Sequence, residues 1–218
     1  MQIDYLFDPL CGWCYGAAPA IRQIAAKHEV RLCPTGLFAH GNRHMDTEFS
    51  TYAWENDQRI AKLTGAIFSP AYQQNLLYSN LPFDSQPMLL ALTAVGQTAP
   101  DQELAALSAL QQVRYQNGQN TADPAVVRTV LNALGLSAAA RLLDESDTAA
   151  LTAERCAAAQ KLMQQYGLQG VPQLLVHTAH GVRALPSRVS STAMQTMLLC
   201  IWALGRQNQA KHEAALFG

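Results

Sequence analysis

The chain has 218 residues, 49% of them hydrophobic and 14% charged, with a net charge of -1 at neutral pH. That is length for one large domain, or a domain carrying an insertion, and enough apolar content for a proper core. No Lys/Arg-rich stripe marks a nucleic-acid surface, and the longest apolar stretch, residues 194–204, is too short and too interrupted to span a membrane.

Residues 3–7, Ile-Asp-Tyr-Leu-Phe, read as a strand. No basic segment followed by an apolar stretch precedes it, so no signal peptide is predicted and the cytoplasm is the expected compartment. A helix is expected from residue 15 or 16 to 28, with Ile21, Ile24 and Ala25 on one face, and a second strand over 30–37. The usual crossover rule makes these two strands parallel neighbours.

From residue 46 to 167 the pattern is helical and rich in Ala, Leu and Gln. Helices are predicted over 50–65, with Gly65 as the stop, and over 70–77. Another starts at Ser85-Gln86-Pro87, with proline early, where its missing N–H does no harm. Further ones span 100–118, the stretch capped by Thr121-Ala122-Asp123-Pro124 and ending at Leu134-Gly135, 137–143, and 148–166 stopped by Gly167. The texture then returns to α/β. Residues 173–177 and 182–185 form an expected antiparallel hairpin about a turn at 178–181. Ser190-Ser191-Thr192 caps a closing helix that runs to about residue 204. The order suggests an all-helical insertion, 46–167, inside a small α/β domain built from 1–45 and 168–218.

Chemistry concentrates at Cys11-Gly12-Trp13-Cys14, between the first strand and the first helix. A Cys-x-x-Cys at such a junction is a layout for thiol–disulfide exchange. Cys11 is expected at the helix N-terminus, where unpaired N–H groups and the positive end of the dipole favour a thiolate. Thiols so placed ionise in the range of roughly pH 3.5 to 7.5, against about 8.5 for a free cysteine. Cys14, a turn further in, is less exposed and resolves the mixed disulfide that Cys11 forms. Gly12 and Trp13 tune the pair, and Trp13 offers an apolar surface to a peptide. The competing reading is half of a zinc site, but no second Cys-x-x-Cys or His-x-x-x-His completes it, so no metal is expected. Cys33, Cys156 and Cys200 stand among apolar neighbours as small buried hydrophobes.

Gly170-Val171-Pro172-Gln173 precedes the third predicted strand. A proline there has an ordinary reading as a strand-leading residue. With the cysteine pair upstream it suggests more. A cis Val171–Pro172 bond would turn the Val171 backbone toward Cys11, where an extended substrate could pair with it as an added strand. Three weaker signals accompany these. Asp8 reads as a cap of the turn before Cys11 rather than a proton acceptor. His40, Arg43 and His44 read as a solvated loop rather than a cleft lining. Tyr52, Trp54, Tyr72 and Tyr78 read mostly as core, with one or two available to face the thiols.

Together, strand–Cys11-Gly12-Trp13-Cys14–helix, Gly170-Val171-Pro172-Gln173 before a hairpin, and the helical middle resemble the DsbA-like branch of the thioredoxin superfamily. The run Phe7-Asp8-Pro9-Leu10-Cys11-Gly12-Trp13-Cys14-Tyr15-Gly16 looks most like its cytoplasmic, FrnE-type or disulfide-isomerase-like members. The resemblance implies an α/β, thioredoxin-like fold with an all-helical insertion. It implies Cys11 as nucleophile, Cys14 as resolving thiol and Pro172 as a cis-proline with Val171 before it. Secreted DsbA proteins carry Pro-His between their cysteines, and Gly-Trp here argues against a strong oxidant. The implied function is a cofactor-free oxidoreductase acting on protein, peptide or small-molecule disulfides, with glutathione as a candidate co-substrate. The layout also resembles kappa-class glutathione transferases and 2-hydroxychromene-2-carboxylate isomerases, which place Ser at the position of Cys11. A non-enzymatic peptide-binding scaffold is the third reading. Substrate, redox direction and oligomeric state are not written in the sequence.

Overall fold

Alternation along one strand organises the molecule. In β1 (Gln2–Phe7), Ile3, Tyr5 and Phe7 project to one face and Asp4 and Leu6 to the other, as the period of two requires. The first set joins the large core with Leu174 and Val176. Leu6 joins a smaller cluster with Cys33, Leu175 and Ala159. β1 pairs in parallel with β2 (Glu29–Pro34), Ile3 opposite Val30, and antiparallel with β3 (Gln173–Thr178), Leu6 opposite Gln173. β3 carries β4 (Gly181–Leu185) as an antiparallel hairpin, giving the order β2-β1-β3-β4. The computed structural model describes residues 1–185, so the predicted closing helix and Cys200 lie outside the described residues.

Helix α1 (Gly12–Ala25) connects β1 to β2 and buries Cys14, Tyr15, Ala17, Ile21 and Ile24 on the large core. It begins earlier than the expected residue 15 or 16. Cys11 takes the extended N-cap conformation, and its carbonyl already accepts from Tyr15 N, so the helix takes in the rest of the cysteine motif. The insertion follows as α2 (Thr47–Thr64), α3 (Pro70–Tyr72), α4 (Gln86–Thr98), α5 (Glu103–Tyr115), α6 (Pro124–Ala133), α7 (Ser137–Arg141) and α8 (Ser146–Gln165). α3 runs directly into a π-helical turn, Gln73–Leu77.

The helix starts show which local signals prevailed. α2 starts before the expected residue 50 because Asp46 caps it, its side chain accepting from Phe49 N at 2.8 Å. Gly65 stops it as expected, with φ of 75°. Ser85 precedes α4 but makes no side-chain cap bond; its hydroxyl is taken by Asp8. α4 is apolar nearly all round, burying Met88, Leu89, Ala91, Leu92, Ala94 and Val95, and becomes the centre of the insertion.

Helices of the insertion pack on both sides of the thiol end of the sheet. α2 lies so close to α1 that only glycine fits at two facing positions. A Cβ on Gly12 would come within 2.6 Å of Asp57 Oδ1, and one on Gly16 within 2.6 Å of Ile60 Cγ2. α8 covers the opposite face beside Leu6 and Cys33, and Gln160 donates to Thr35 O at 2.8 Å.

Candidate active site

The site stands where the central strand ends. β1 is flanked by β2 and β3, so the loop that leaves Phe7 is held from both sides. Asp8 fixes that loop. Its Oδ1 accepts from Leu10 N at 2.9 Å; its Oδ2 accepts from Phe38 N at 3.1 Å and Ser85 Oγ at 3.0 Å. Its backbone carbonyl receives Cys11 N at 3.1 Å. One fully buried carboxyl thus joins the turn before Cys11, the loop after β2 and the start of α4. This is the cap reading, extended across the chain. Burial pushes the carboxyl up to about 6, against the pull of the three donors.

Cys11 sits at the N-cap of α1, where the amides of Gly12, Trp13 and Cys14 have no intrahelical acceptor. The first turn carries no acidic side chain of its own. Cys11 is more enclosed than a free helix start suggests, with 7% exposure, and Cys14 is closed off at 1%. Both are free thiols. Burial drives the Cys14 thiol well above its ordinary range, and the adjoining Cys11 sulfur adds to this by hydrogen bond and by charge. Tyr5 lies under the pair, donating its hydroxyl to Cys14 O at 3.3 Å.

The second half of the site arrives from 160 residues away. The Val171–Pro172 peptide is cis, and Cys11 Sγ donates to Val171 O at 3.6 Å. Gly170, just before, takes φ of 67°, which a residue with a Cβ adopts poorly. The sequence-predicted Cys11, Cys14, Val171 and Pro172 therefore converge. Gly12 is covered by α2. Trp13 is half-buried, with the Arg59 guanidinium 5.8 Å from its ring centre.

Other candidates fall elsewhere. His40, Arg43 and His44 are exposed; His44 Nδ1 meets Asn80 O at 2.9 Å and Arg43 stacks over Phe49. Tyr52 and Tyr78 are exposed rather than core, Trp54 is half-buried, and Tyr72 is buried. Cys33 is buried as expected while Cys156 is only half-buried, and burial pushes both thiols up to about 11. Among the described residues no three of His, Cys, Asp and Glu gather as metal ligands.

Sequence reasoning missed the wall that the insertion builds behind Gly12. Asp57 on α2 is 5% exposed and accepts from Tyr72 Oη at 2.9 Å. Arg114 on α5 is 1% exposed and ringed by Tyr72, Phe83 and Tyr115. Tyr115 donates to Leu10 O at 2.8 Å, one residue before Cys11. The available signal was the spacing of Gly12 and Gly16, which puts two small residues on one stripe of α1 and invites a close helix.

Residues 2–213 match the family profile of the DSBA-like thioredoxin domain. Among solved structures, the cytosolic disulfide reductase DsbM from Pseudomonas aeruginosa is similar over 94% of this chain and 100% of its own, at 27% identity and a TM-score of 0.82. That enzyme has also been solved with GSH. A disulfide-isomerase-like protein from Nitrosomonas europaea covers 93% of this chain and 97% of its own, at 21% identity and a TM-score of 0.75. A 2-hydroxychromene-2-carboxylate isomerase shares the fold at 17% identity and a TM-score of 0.65, over 96% of this chain and 98% of its own. No sequence among proteins of curated function matches the chain.

Proposed function

This chain belongs to the DSBA-like thioredoxin domain family, and from that premise we propose that Cys11 and Cys14 form the redox pair of a disulfide reductase that is reset by glutathione. One observation carries the reading: Cys11 Sγ lies at the N-cap of α1 and against the Val171 carbonyl, with the buried Cys14 thiol behind it. The 27% identity to a cytosolic disulfide reductase supports the reducing direction, and the form of that enzyme solved with GSH supports the reductant. The cytoplasm, where free thiols persist, is the compartment that fits.

The chemistry runs in two exchanges. The Cys11 thiolate attacks one sulfur of a substrate disulfide, and the other sulfur leaves as a thiolate that takes up a proton. An extended substrate segment lies along the Val171 backbone, ahead of Pro172. Cys14 then loses its proton and attacks the Cys11 sulfur, releasing the second substrate thiol and closing the Cys11–Cys14 disulfide. Two glutathione thiols reverse these exchanges on the protein and leave as glutathione disulfide. Keeping Cys14 protonated until a mixed disulfide forms prevents two anions from facing each other in a buried site. The proposed division, 1–45 with 168–218 around 46–167, puts both cysteines and the cis-proline segment in one part and the packing helices α2 and α8 in the other.

The test uses wild type, Cys14→Ser and Cys11→Ser with insulin as the disulfide and glutathione as the reductant. Wild type turns over and cycles through an internal disulfide. Cys14→Ser stops with one substrate thiol bound, seen as an added mass, and Cys11→Ser is inert. A wild-type protein that forms no Cys11–Cys14 disulfide in any glutathione buffer ends this reading. Activity that survives Cys11→Ser and needs bound glutathione replaces it with the isomerase or transferase reading.

A further inference from the structure

The redox pair needs only the core elements, yet α2 presses a buried carboxyl against the first residue of α1. Asp57 Oδ1 occupies the space that a side chain on Gly12 would fill, 2.6 Å from an ideal Cβ. Gly12 is the residue after Cys11, and the first turn has no acidic side chain of its own. The other carboxylate oxygen is held by Tyr72 Oη at 2.9 Å. Among the described residues no cation lies within 4.0 Å of this carboxyl to fix its charge.

We propose that Asp57 is a positioning residue for the thiol pair: its carboxylate competes with the Cys11 thiolate for the positive end of α1, and so makes the pair a stronger reductant as Asp57 ionises. The proposal rests on the reading of Cys11 and Cys14 as a redox pair and adds its regulation by pH.

The direction follows from charge. Two anions at one helix start repel, and only the reduced protein carries the thiolate. An ionised Asp57 therefore destabilises the dithiol form, shifting the equilibrium toward the disulfide and electrons toward substrate. With Asp57 protonated the thiolate has the helix end to itself. The balance closes without another reactant. The Cys11 thiolate, the Cys14 thiol and protonated Asp57 together deliver two electrons and two protons to a substrate disulfide. The products are the Cys11–Cys14 disulfide, ionised Asp57 and two substrate thiols.

The groups around Asp57 allow this switch at physiological pH. Gly12, the residue after Cys11, faces it from the start of α1. From α3 comes the Tyr72 hydroxyl; from α5 come the Arg114 guanidinium, which attracts it, and Tyr115, whose hydroxyl senses both Asp57 and Cys11. On α2 itself, Arg59 is exposed and lies over Trp13. Burial outweighs Tyr72 and Arg114 and pushes the carboxyl up to about 7.

The test measures the equilibrium of the pair with glutathione and its disulfide between about pH 5.5 and 8.5, for wild type, Asp57→Asn and Tyr72→Phe. At about pH 8, Asp57→Asn should favour the dithiol on the order of tenfold over wild type, about 30 mV for a two-electron couple. The two should converge near pH 5.5. Thiolate absorbance should appear at lower pH in Asp57→Asn. Tyr72→Phe removes the bond that favours the ionised carboxyl, so the pH at which its curve breaks should move upward. It carries the test alone if Asp57→Asn does not fold. A ratio of Asp57→Asn to wild type that is constant across pH overturns the proposal, as does an unmoved break in Tyr72→Phe. Absence of any disulfide in wild type is a different result, and it overturns the function itself.

Discussion

Replacing Asp8 with asparagine sets two costs of one buried carboxyl against each other. The carboxylate accepts from Leu10 N, Phe38 N and Ser85 Oγ. An amide has one acceptor oxygen, and its NH2 group confronts a donor. Ser85 can rotate and accept, but one of the two backbone N–H groups is left unmatched in a fully buried site, a loss of about 1–3 kcal/mol. Against this, wild type keeps a charge where burial has moved the carboxyl from 3.8 to about 6. The folded value exceeds the unfolded one, so Asp8 contributes its full stability below 3.8 and loses it as the pH rises through about 6. At about 1.36 kcal/mol per pH unit that interval is worth roughly 3 kcal/mol, of which about 2 falls between pH 4.5 and 8. Asparagine has no charge to bury. The stability of Asp8→Asn relative to wild type should therefore improve by about 2 kcal/mol from pH 4.5 to 8, taking it from clearly destabilised toward parity. Urea unfolding of both reduced proteins, followed by tryptophan fluorescence at several pH values, measures this difference, and the other titrating groups cancel. A difference that is flat with pH, or that widens as pH rises, refutes the reasoning.

Three further outcomes are expected. Gly16→Ala should cost about 1–3 kcal/mol in thermal or urea unfolding, although alanine is the better helix former by about 1 kcal/mol, because the new Cβ meets Ile60 Cγ2 at 2.6 Å. A variant as stable as wild type would mean that α1 and α2 are less tightly packed than described. Iodoacetamide at about pH 8 should label Cys33 and Cys156 on the order of twentyfold more slowly than a free thiol, since their thiolate fractions are small and the greater nucleophilicity of the anion recovers only part of the loss. Peptide mapping at timed points reads this, and rapid labelling of Cys33 would contradict its burial. Arg31→Met should destabilise the fold by about 1 kcal/mol, below the usual range for a charged hydrogen bond because Arg31 is half exposed. It leaves the buried Asp4 carboxylate with His177 at 2.9 Å as its remaining side-chain partner, and a melting curve unchanged from wild type would show that this partner suffices.

The parts of the fold that were legible in the sequence are those where one local rule acts alone. Short apolar runs gave the four described strands, although β2 ends at Pro34 rather than at residue 37; the crossover rule gave parallel β1 and β2, and the turn before Gly181 gave the β3–β4 hairpin. Gly65 and Gly167 end helices in the left-handed conformation that glycine permits. Boundaries failed where two rules competed. The small and aromatic residues of Gly12-Trp13-Cys14 hide the start of α1, which is set by the N-cap geometry of Cys11. Ser85 has the chemistry of a cap, but Asp8 claims its hydroxyl across 77 positions of sequence. Nothing within one helix foretells the π-helical turn at Gln73–Leu77.

The site divides in the same way. Cys11 and Cys14 are visible because their spacing is itself the chemistry, and the Val171–Pro172 segment becomes visible once they are known. Asp57 and Arg114 were not visible, because each is an isolated polar residue on a helix with other plausible faces; Tyr72 was read as core or as facing the thiols, and it is buried against Asp57. Their meaning comes from the crossing of α1 and α2. Yet the crossing left one trace. A residue larger than glycine after Cys11 would collide with Asp57 Oδ1, so the glycine of the cysteine motif and the carboxyl of the insertion form one design. The dipeptide between the thiols is then no free tuning element. Its first position is set by the helix that lies across it, since α2 leaves room there for glycine alone.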